Sequence, residues 1–280
     1  MSFDVGFYLI DHRLIALVMV VLLVAAGEIG FRLGCRGRDS KESFRSLMTG
    51  TGGAMLGLLG LLLGFSLSMA VSRWDQRHDL LVNEANAIGT NWLRAGLLED
   101  PLRSDLRGAL RQYKDARIAL CESRGDPAAQ RSARSNSESL HASIWSVVKR
   151  TNQPGISNDV LSSMVNAANE LIDIHGVRLA AIENYLPAPL FLVLLTVAAV
   201  AVGFLAWAFG AANQGGRIAI VMLGLLIGVV LLLIMDVNRP QRGRINIGVE
   251  SLERARETTE APSPQALLEN GMTRTERTEA

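Results

Sequence analysis

Four apolar stretches, residues 14–31, 52–71, 187–209 and 218–235, divide this chain into two close pairs with a long polar stretch between them. A helix needs about 20 apolar residues to cross the hydrocarbon core of a bilayer, and each stretch is close to that length. A helix that is apolar on every side has no face to turn to water, so these stretches are poor soluble elements. The expected fold is all-α: a four-span integral membrane protein with a soluble helical bundle inserted between spans 2 and 3. The lipid bilayer is its first partner. Residues 1–72 form the first transmembrane hairpin, 73–186 the helical domain, 187–235 the second hairpin and 236–280 a C-terminal segment.

Composition fits that reading, with 49% hydrophobic and 20% charged residues. A net charge of +1 excludes a chain built for bulk nucleic-acid binding. Cys35 and Cys121 have no motif spacing and suggest neither a disulfide framework nor a zinc site. The residues before Leu14 carry Asp4 and Asp11 and no basic cluster, so span 1 is expected to stay as an anchor.

Span 1 contains Glu28, which either reaches the interface or faces a bundle interior as a functional carboxylate. Span 2 carries Gly53, Gly57, Gly60 and Gly64 at helical spacing, with Ser68 continuing near the same face. Such a ridge lets helices approach closely. It equally suits a helix lining a narrow pathway, with Ser68 and Ser72 as its polar groups and Phe65 as a constriction. Gly224 and Gly228 repeat the spacing in span 4, and Pro187 suits the first turn of span 3.

Between the hairpins, Trp74, Leu81, Ala85, Ile88, Trp92 and Ala95 form one helical stripe. No turn signal separates them from Val71, which predicts that span 2 continues as one long helix. Pro101 marks a bend or a new helix, and Asp126 followed by Pro127 predicts an N-cap. Gln153-Pro154-Gly155 ends that helix, and the next begins near Ser157 with Leu161, Val165, Ala168, Ile172, Leu179 and Ile182 on its apolar face. No strand pattern appears, so a bundle is the economical expectation. Residues 73–186 hold 14 basic and 14 acidic side chains, a net of zero. Beyond span 4, residues 236–253 mix charged and apolar positions suited to docking, whereas from about 258 the composition predicts disorder.

Topology is set by opposing charge cues. The loop after span 1 carries Arg32, Arg36, Arg38, Lys41 and Arg45 against Asp39 and Glu42, which favours placing it inside. Arg73, Arg77, Arg239, Arg242 and Arg244 flank the opposite ends of spans 2 and 4. Translocating a whole domain without a signal peptide is unusual, so the balance falls to a cytoplasmic domain with both termini beside it.

Few residues carry chemistry. Asp75, His78 and Asp79 could share one helical turn as a ligand cluster, but an exposed face is the plainer expectation. His175 continues an apolar stripe and is expected as a hydrogen-bonded core histidine. Glu84 and Asn91 are either paired polar groups inside the bundle or side chains lining a water-filled vestibule, and the nearby Asn83 and Asn86 suit either arrangement. No catalytic constellation, phosphate loop or nucleotide fingerprint occurs, so no cofactor is expected and an enzyme is not the reading. The spans hold almost no ionisable groups, which argues against a proton relay or voltage sensor while leaving room for an apolar-gated channel.

Residues 65–70 (Phe-Ser-Leu-Ser-Met-Ala), then Ser72-Arg73, the stretch Val82-Asn83-Glu84-Ala85-Asn86-Ala87-Ile88-Gly89-Thr90 and Leu93-Arg94 resemble the bacterial bestrophin-like domain family. After span 4, Asp236-Val237-Asn238-Arg239-Pro240 and Gly243 resemble its closing pattern, with Asn238 and Gln241 standing where that pattern has Asp and Phe. The resemblance covers most of residues 50–250 and implies four spans with a helical cytosolic insertion in a bacterial inner membrane. By wider analogy to bestrophins it implies a homo-oligomeric anion channel, a pentamer among its forms, whose second span lines the pore. The acidic calcium clasp of true bestrophins has no match here, so no metal is expected.

Two readings result. One is an oligomeric channel for inorganic ions, with Phe65, Ser68 and Ser72 at the pore and Glu84, Asn86 and Asn91 in a vestibule. The other is a non-conducting sensor or scaffold whose helical domain binds a ligand or partner while the glycines pack helices.

Overall fold

A computed structural model of the chain describes residues 12–37, 40–123, 126–212, 216–239 and 250–254. Seven helices follow in order: α1 (His12–Arg36), α2 (Glu42–Ala95), α3 (Leu102–Glu122), α4 (Pro127–Arg150), α5 (Asn158–Glu183), α6 (Ala188–Ala211) and α7 (Arg217–Val237). Residues 250–254 are also helical, and no strand occurs among the described residues. Four helical stretches are long and apolar enough to cross a membrane. The expected all-α, four-span class is what is found. The tail beyond residue 254 and the closing-pattern residues Pro240, Gln241 and Gly243 lie outside the described residues.

The chain divides into two compact units, one built from Met1–Gln76 with Ile182–Asn246 and the other from Arg77–Ala181 with Ile247–Ala280. Helix α2, 54 residues long, belongs to both. At 1.5 Å per residue it extends about 80 Å. Span 2 therefore does run on into the helical domain, as the unbroken stripe predicted.

In the first unit α1 packs on α6 and α7, and α6 packs on α7. The α1–α6 contact is close because small residues face it. A Cβ at Gly30 would run into the Gly203 carbonyl oxygen, one at Gly34 into that of Trp207, and one at Gly210 into that of Phe31. Backbone contact of this kind is how helices associate where lipid removes the hydrophobic drive. Gly224 and Gly228 of α7 lie against Leu23 and Val20 of α1. Glu28 accepts from Arg32 Nε at 2.7 Å and Arg217 Nη2 at 3.2 Å, so it pairs at the helix ends. Asn238, fully buried, accepts the Leu186 backbone N–H at 3.1 Å. Asn238 therefore has a structural task within this unit.

The second unit is a helical bundle with its own core. Leu81, Ala85, Ile88, Trp92 and Ala95 of α2 join Leu106, Leu110 and Tyr113 of α3, Ile144 and Val148 of α4, and Met164 and Leu171 of α5. Leu252, completely buried, belongs to the same core, so this part of the C-terminal segment docks as its composition suggested. Local signals behave as expected at the boundaries. Pro101 immediately precedes α3, and Asp126 caps α4 by accepting the Ala128 N–H at 2.9 Å with Pro127 in the first turn. Ser157 accepts the Val160 N–H at 3.3 Å at the start of α5, after a break in which Gly155 has φ 98°.

The expected apolar face of α5 needs correction. Met164, Ala167, Ala168, Leu171, His175, Arg178 and Ala181 are buried, while Leu161, Val165, Ile172, Leu179 and Ile182 are only half-buried. His175 lies in the core as expected, and the buried face also takes in Arg178, which Glu84 pairs.

Candidate pore face and buried charge cluster

Within the first unit α2 has two unlike sides. Gly52, Leu59, Leu63, Ser66 and Ala70 are buried, Gly52 against the α6 backbone at Leu205 and Ser66 with its hydroxyl on the Leu62 carbonyl. The opposite side carries Gly53, Gly57, Gly60, Gly64, Ser68 and Ser72, all exposed. A Cβ added at any of these four glycines would meet nothing within 4 Å. The packing expected of this ridge is therefore not packing within the chain. Phe65 is 61% exposed beside it.

A glycine inside a helix costs about 0.5–1 kcal/mol relative to alanine. Four of them on one open face forgo several kcal/mol of helix preference without any contact in their own chain. Any compensation must come from outside the protomer.

In the second unit α2 and α5 run antiparallel and are tied by side chains donating to backbone carbonyls. Arg77 Nε reaches Ala181 at 3.0 Å, Asn91 Nδ2 reaches Ala167 at 2.9 Å, and Arg94 Nη1 reaches Ser163 at 2.9 Å. Between them sits Glu84. It ion-pairs with Arg178 and with Arg117, whose Nε lies 2.7 Å away, and it accepts from Arg117 Nη2 at 3.3 Å and from the Tyr113 hydroxyl at 2.7 Å. Glu84, Arg117 and Tyr113 have no exposed surface, and Arg178 has 7%.

These positions correct the vestibule reading of Glu84 and Asn91 and leave their other reading, inside the bundle. Glu84 and Asn91 do not line a vestibule, because both are enclosed in their own bundle by partners that satisfy them. Asn86 is exposed and, with Asn83, borders an open groove of about 760 Å³ that also includes Asn166, Asn169, Glu170 and Asp173. Asp75 and Asp79 are exposed, and no group of three or more metal-ligating side chains occurs among the described residues.

Burial alone pushes the Glu84 carboxyl up. Arg178, Arg117 and the Tyr113 hydroxyl outweigh it and hold the group at about 2. Two guanidinium groups therefore share one carboxylate in the interior.

His175 sits beside them, 4% exposed, with Nδ1 3.3 Å from the Tyr113 oxygen. Since that hydroxyl donates to Glu84, the neutral ring supplies the proton at Nδ1. His141 of α4 meets His175 edge-to-face with ring centroids 4.6 Å apart.

Burial, then Arg117 and His141, lower His175 to about 4. An unfolded histidine takes its proton near 6.5, so between those values the unfolded chain binds more protons and folding weakens as pH falls. The thermal midpoint in detergent is expected to be level above pH 6.5 and to drop between pH 6.5 and 4. His175→Gln should flatten that drop. A profile identical in the variant would show that His175 is not its source.

Sequence reasoning missed Tyr113, Arg117, Arg178 and His141, although a signal existed. Leu106, Leu110, Tyr113, Arg117 and Leu120 form one apolar stripe interrupted by a cation. Met164, Leu171, His175 and Arg178 form another. A cation at a core position calls for a buried anion, and Glu84 holds the equivalent position on α2.

A family model for the Bestrophin-like domain matches residues 18–252. No curated protein matches the chain. Among solved structures, a bacterial bestrophin homologue from Klebsiella pneumoniae superposes with TM-score 0.65 at 13% identity, covering 87% of this chain and 96% of that one. A point mutant of the Klebsiella homologue gives TM-score 0.66 at 13% identity over 88% of this chain and 99% of that chain. A crystal structure described only as a mutant membrane protein gives 0.66 at 14% identity over 88% and 99%. At these identities the likeness is one of fold.

Proposed function

Since the chain belongs to the Bestrophin-like domain family, a group with multi-pass membrane architecture, we propose that it is an oligomeric ion channel conducting inorganic anions. Copies of α2 surround the conduit. Gly53, Gly57, Gly60 and Gly64 supply its narrow wall, Ser68 and Ser72 its polar lining, and Phe65 its apolar constriction. Asn86 is assigned to the mouth of the pathway on the helical domain.

The carrying observation is the open glycine face of α2, which has nothing of its own chain against it. A ring of like helices explains why that face is small rather than leucine-rich, since a bulky face would fill the centre. Hydroxyl dipoles and an apolar gate suffice for anion passage without charges at membrane depth. A homo-oligomer in the bacterial inner membrane, with the helical domain and both termini in the cytoplasm, matches this arrangement, and a ring of five is the form drawn from the bestrophins.

Proteoliposomes loaded with chloride provide the test. Efflux at least tenfold above empty vesicles is expected, together with a particle of several subunits in mild detergent. Absence of flux across a range of salts and pH values would sink the channel reading. A monomer would favour a sensor or scaffold instead.

A further inference from the structure

The buried cluster of the helical domain does not balance. Among the described residues Glu84 carries its one negative charge, against Arg117 and Arg178. Lys114, also fully buried, has its own exposed partner, Asp115, at 3.5 Å. Glu138 of α4 is exposed and ion-paired with Arg134 at 3.2 Å. Among the described residues this cluster therefore holds one positive charge in excess, and an uncompensated buried charge is expensive.

The same place holds polar atoms with nothing to bond. Arg117 Nε and Nη1, His175 Nε2 and His141 Nε2 are all buried and lack a hydrogen-bond partner. The two rings touch each other, and both lie against Tyr113, with centroids 5.1 Å away for His141 and 6.3 Å for His175. Arg117 is the strongest charge acting on either ring. Buried polar atoms in native proteins are nearly always satisfied, so four on three neighbouring side chains call for an occupant.

We propose that the helical domain contains an internal site for a small monovalent anion of chloride size, held by Arg117 Nη1 and the Nε2 edges of His141 and His175. The anion cancels the excess charge and accepts the unpaired guanidinium N–H. His175 spends its neutral-state proton at Nδ1 on Tyr113, so its Nε2 becomes a donor only when the ring takes a second proton. Anion binding at this site is therefore coupled to proton uptake, and affinity rises as pH falls. The groups facing the two rings are Glu84 from α2, Tyr113 and Arg117 from α3, Glu138 from α4 and Arg178 from α5. Nothing here depends on conduction, and the site would exist in a non-conducting protein.

The test uses the purified full chain in detergent, titrated with sodium bromide against sodium gluconate at constant ionic strength. A saturable rise in thermal midpoint is expected with bromide alone, about 5 °C at saturation and larger at pH 6 than at pH 8. Crystals soaked in bromide should show an anomalous peak among Arg117, His141 and His175. Arg117→Met, which leaves Glu84 paired with Arg178, should abolish the bromide response, and His175→Gln should remove its pH dependence. If Arg117→Met does not fold, the wild-type titration at the two pH values, His175→Gln and the anomalous peak decide. A midpoint equally sensitive to gluconate, or no peak at the cluster, would overturn the proposal and leave a buried water as the occupant.

Discussion

Replacing Glu84 with alanine is expected to destabilise the helical domain by about 3–5 kcal/mol, the usual cost of stripping one partner from a buried ion pair. Arg117 and Arg178 would then share an interior with no counter-charge, and the Tyr113 hydroxyl would lose its acceptor. In a chain of this size the change corresponds to a fall on the order of 10 °C in thermal midpoint. The triple variant Glu84→Leu, Arg117→Met, Arg178→Met should recover most of the loss, because apolar groups of similar volume carry no desolvation penalty. If the single variant melts like the wild type, the cluster is not what holds α2, α3 and α5 together. The same carboxylate makes an acid limit. Its folded value of about 2 lies below the usual 4.5, so its contribution is present above pH 4.5 and is lost as pH falls towards 2.

Gly60→Leu on α2 should abolish chloride flux, by more than tenfold, while leaving the midpoint of the isolated protomer fold within about 1 °C. Nothing in the chain lies within 4 Å of the added Cβ, so the leucine has nothing to clash with at home. In a ring of α2 helices the same side chain enters the conduit from every subunit. Gly34→Leu should behave in the opposite sense. Its side chain would be driven into the Trp207 backbone, and overpacking of that kind costs about 1–3 kcal/mol or more. Reduced expression and a lowered midpoint are expected there. Unaltered flux in a well-folded Gly60→Leu protein would place the conduit elsewhere.

Much of the fold was legible because its causes are local. Asp126 and Pro127 start α4, Gln153-Pro154-Gly155 ends it, and the unbroken stripe from Trp74 to Ala95 announces one long helix. These signals act within a turn or two of chain, so a single sequence contains them. The roles of individual polar residues were less accessible. Spacing allows Glu84 and Asn91 either a core or a vestibule, since a polar residue beside an apolar stripe is compatible with both. The choice depends on whether another helix brings a partner, and Arg178 lies 94 residues away.

The glycines show the same division. Gly57, Gly60 and Gly64 drew attention by their regular spacing, yet the backbone contacts inside the chain fall to Gly30, Gly34, Gly203 and Gly210. Spacing records which residues share a face and is silent on what that face meets.

The number of spans, the helical class and the family are legible in the amino-acid order alone. Hydrophobic length and helical periodicity are properties of the chain before it packs. That α5 turns Arg178 inward, that Arg117 and Arg178 share the buried Glu84 carboxylate, and that the α2 ridge is open became visible in the packed molecule. Each of those depends on long-range contacts, where the cost of burying a charge is set by what another segment places beside it.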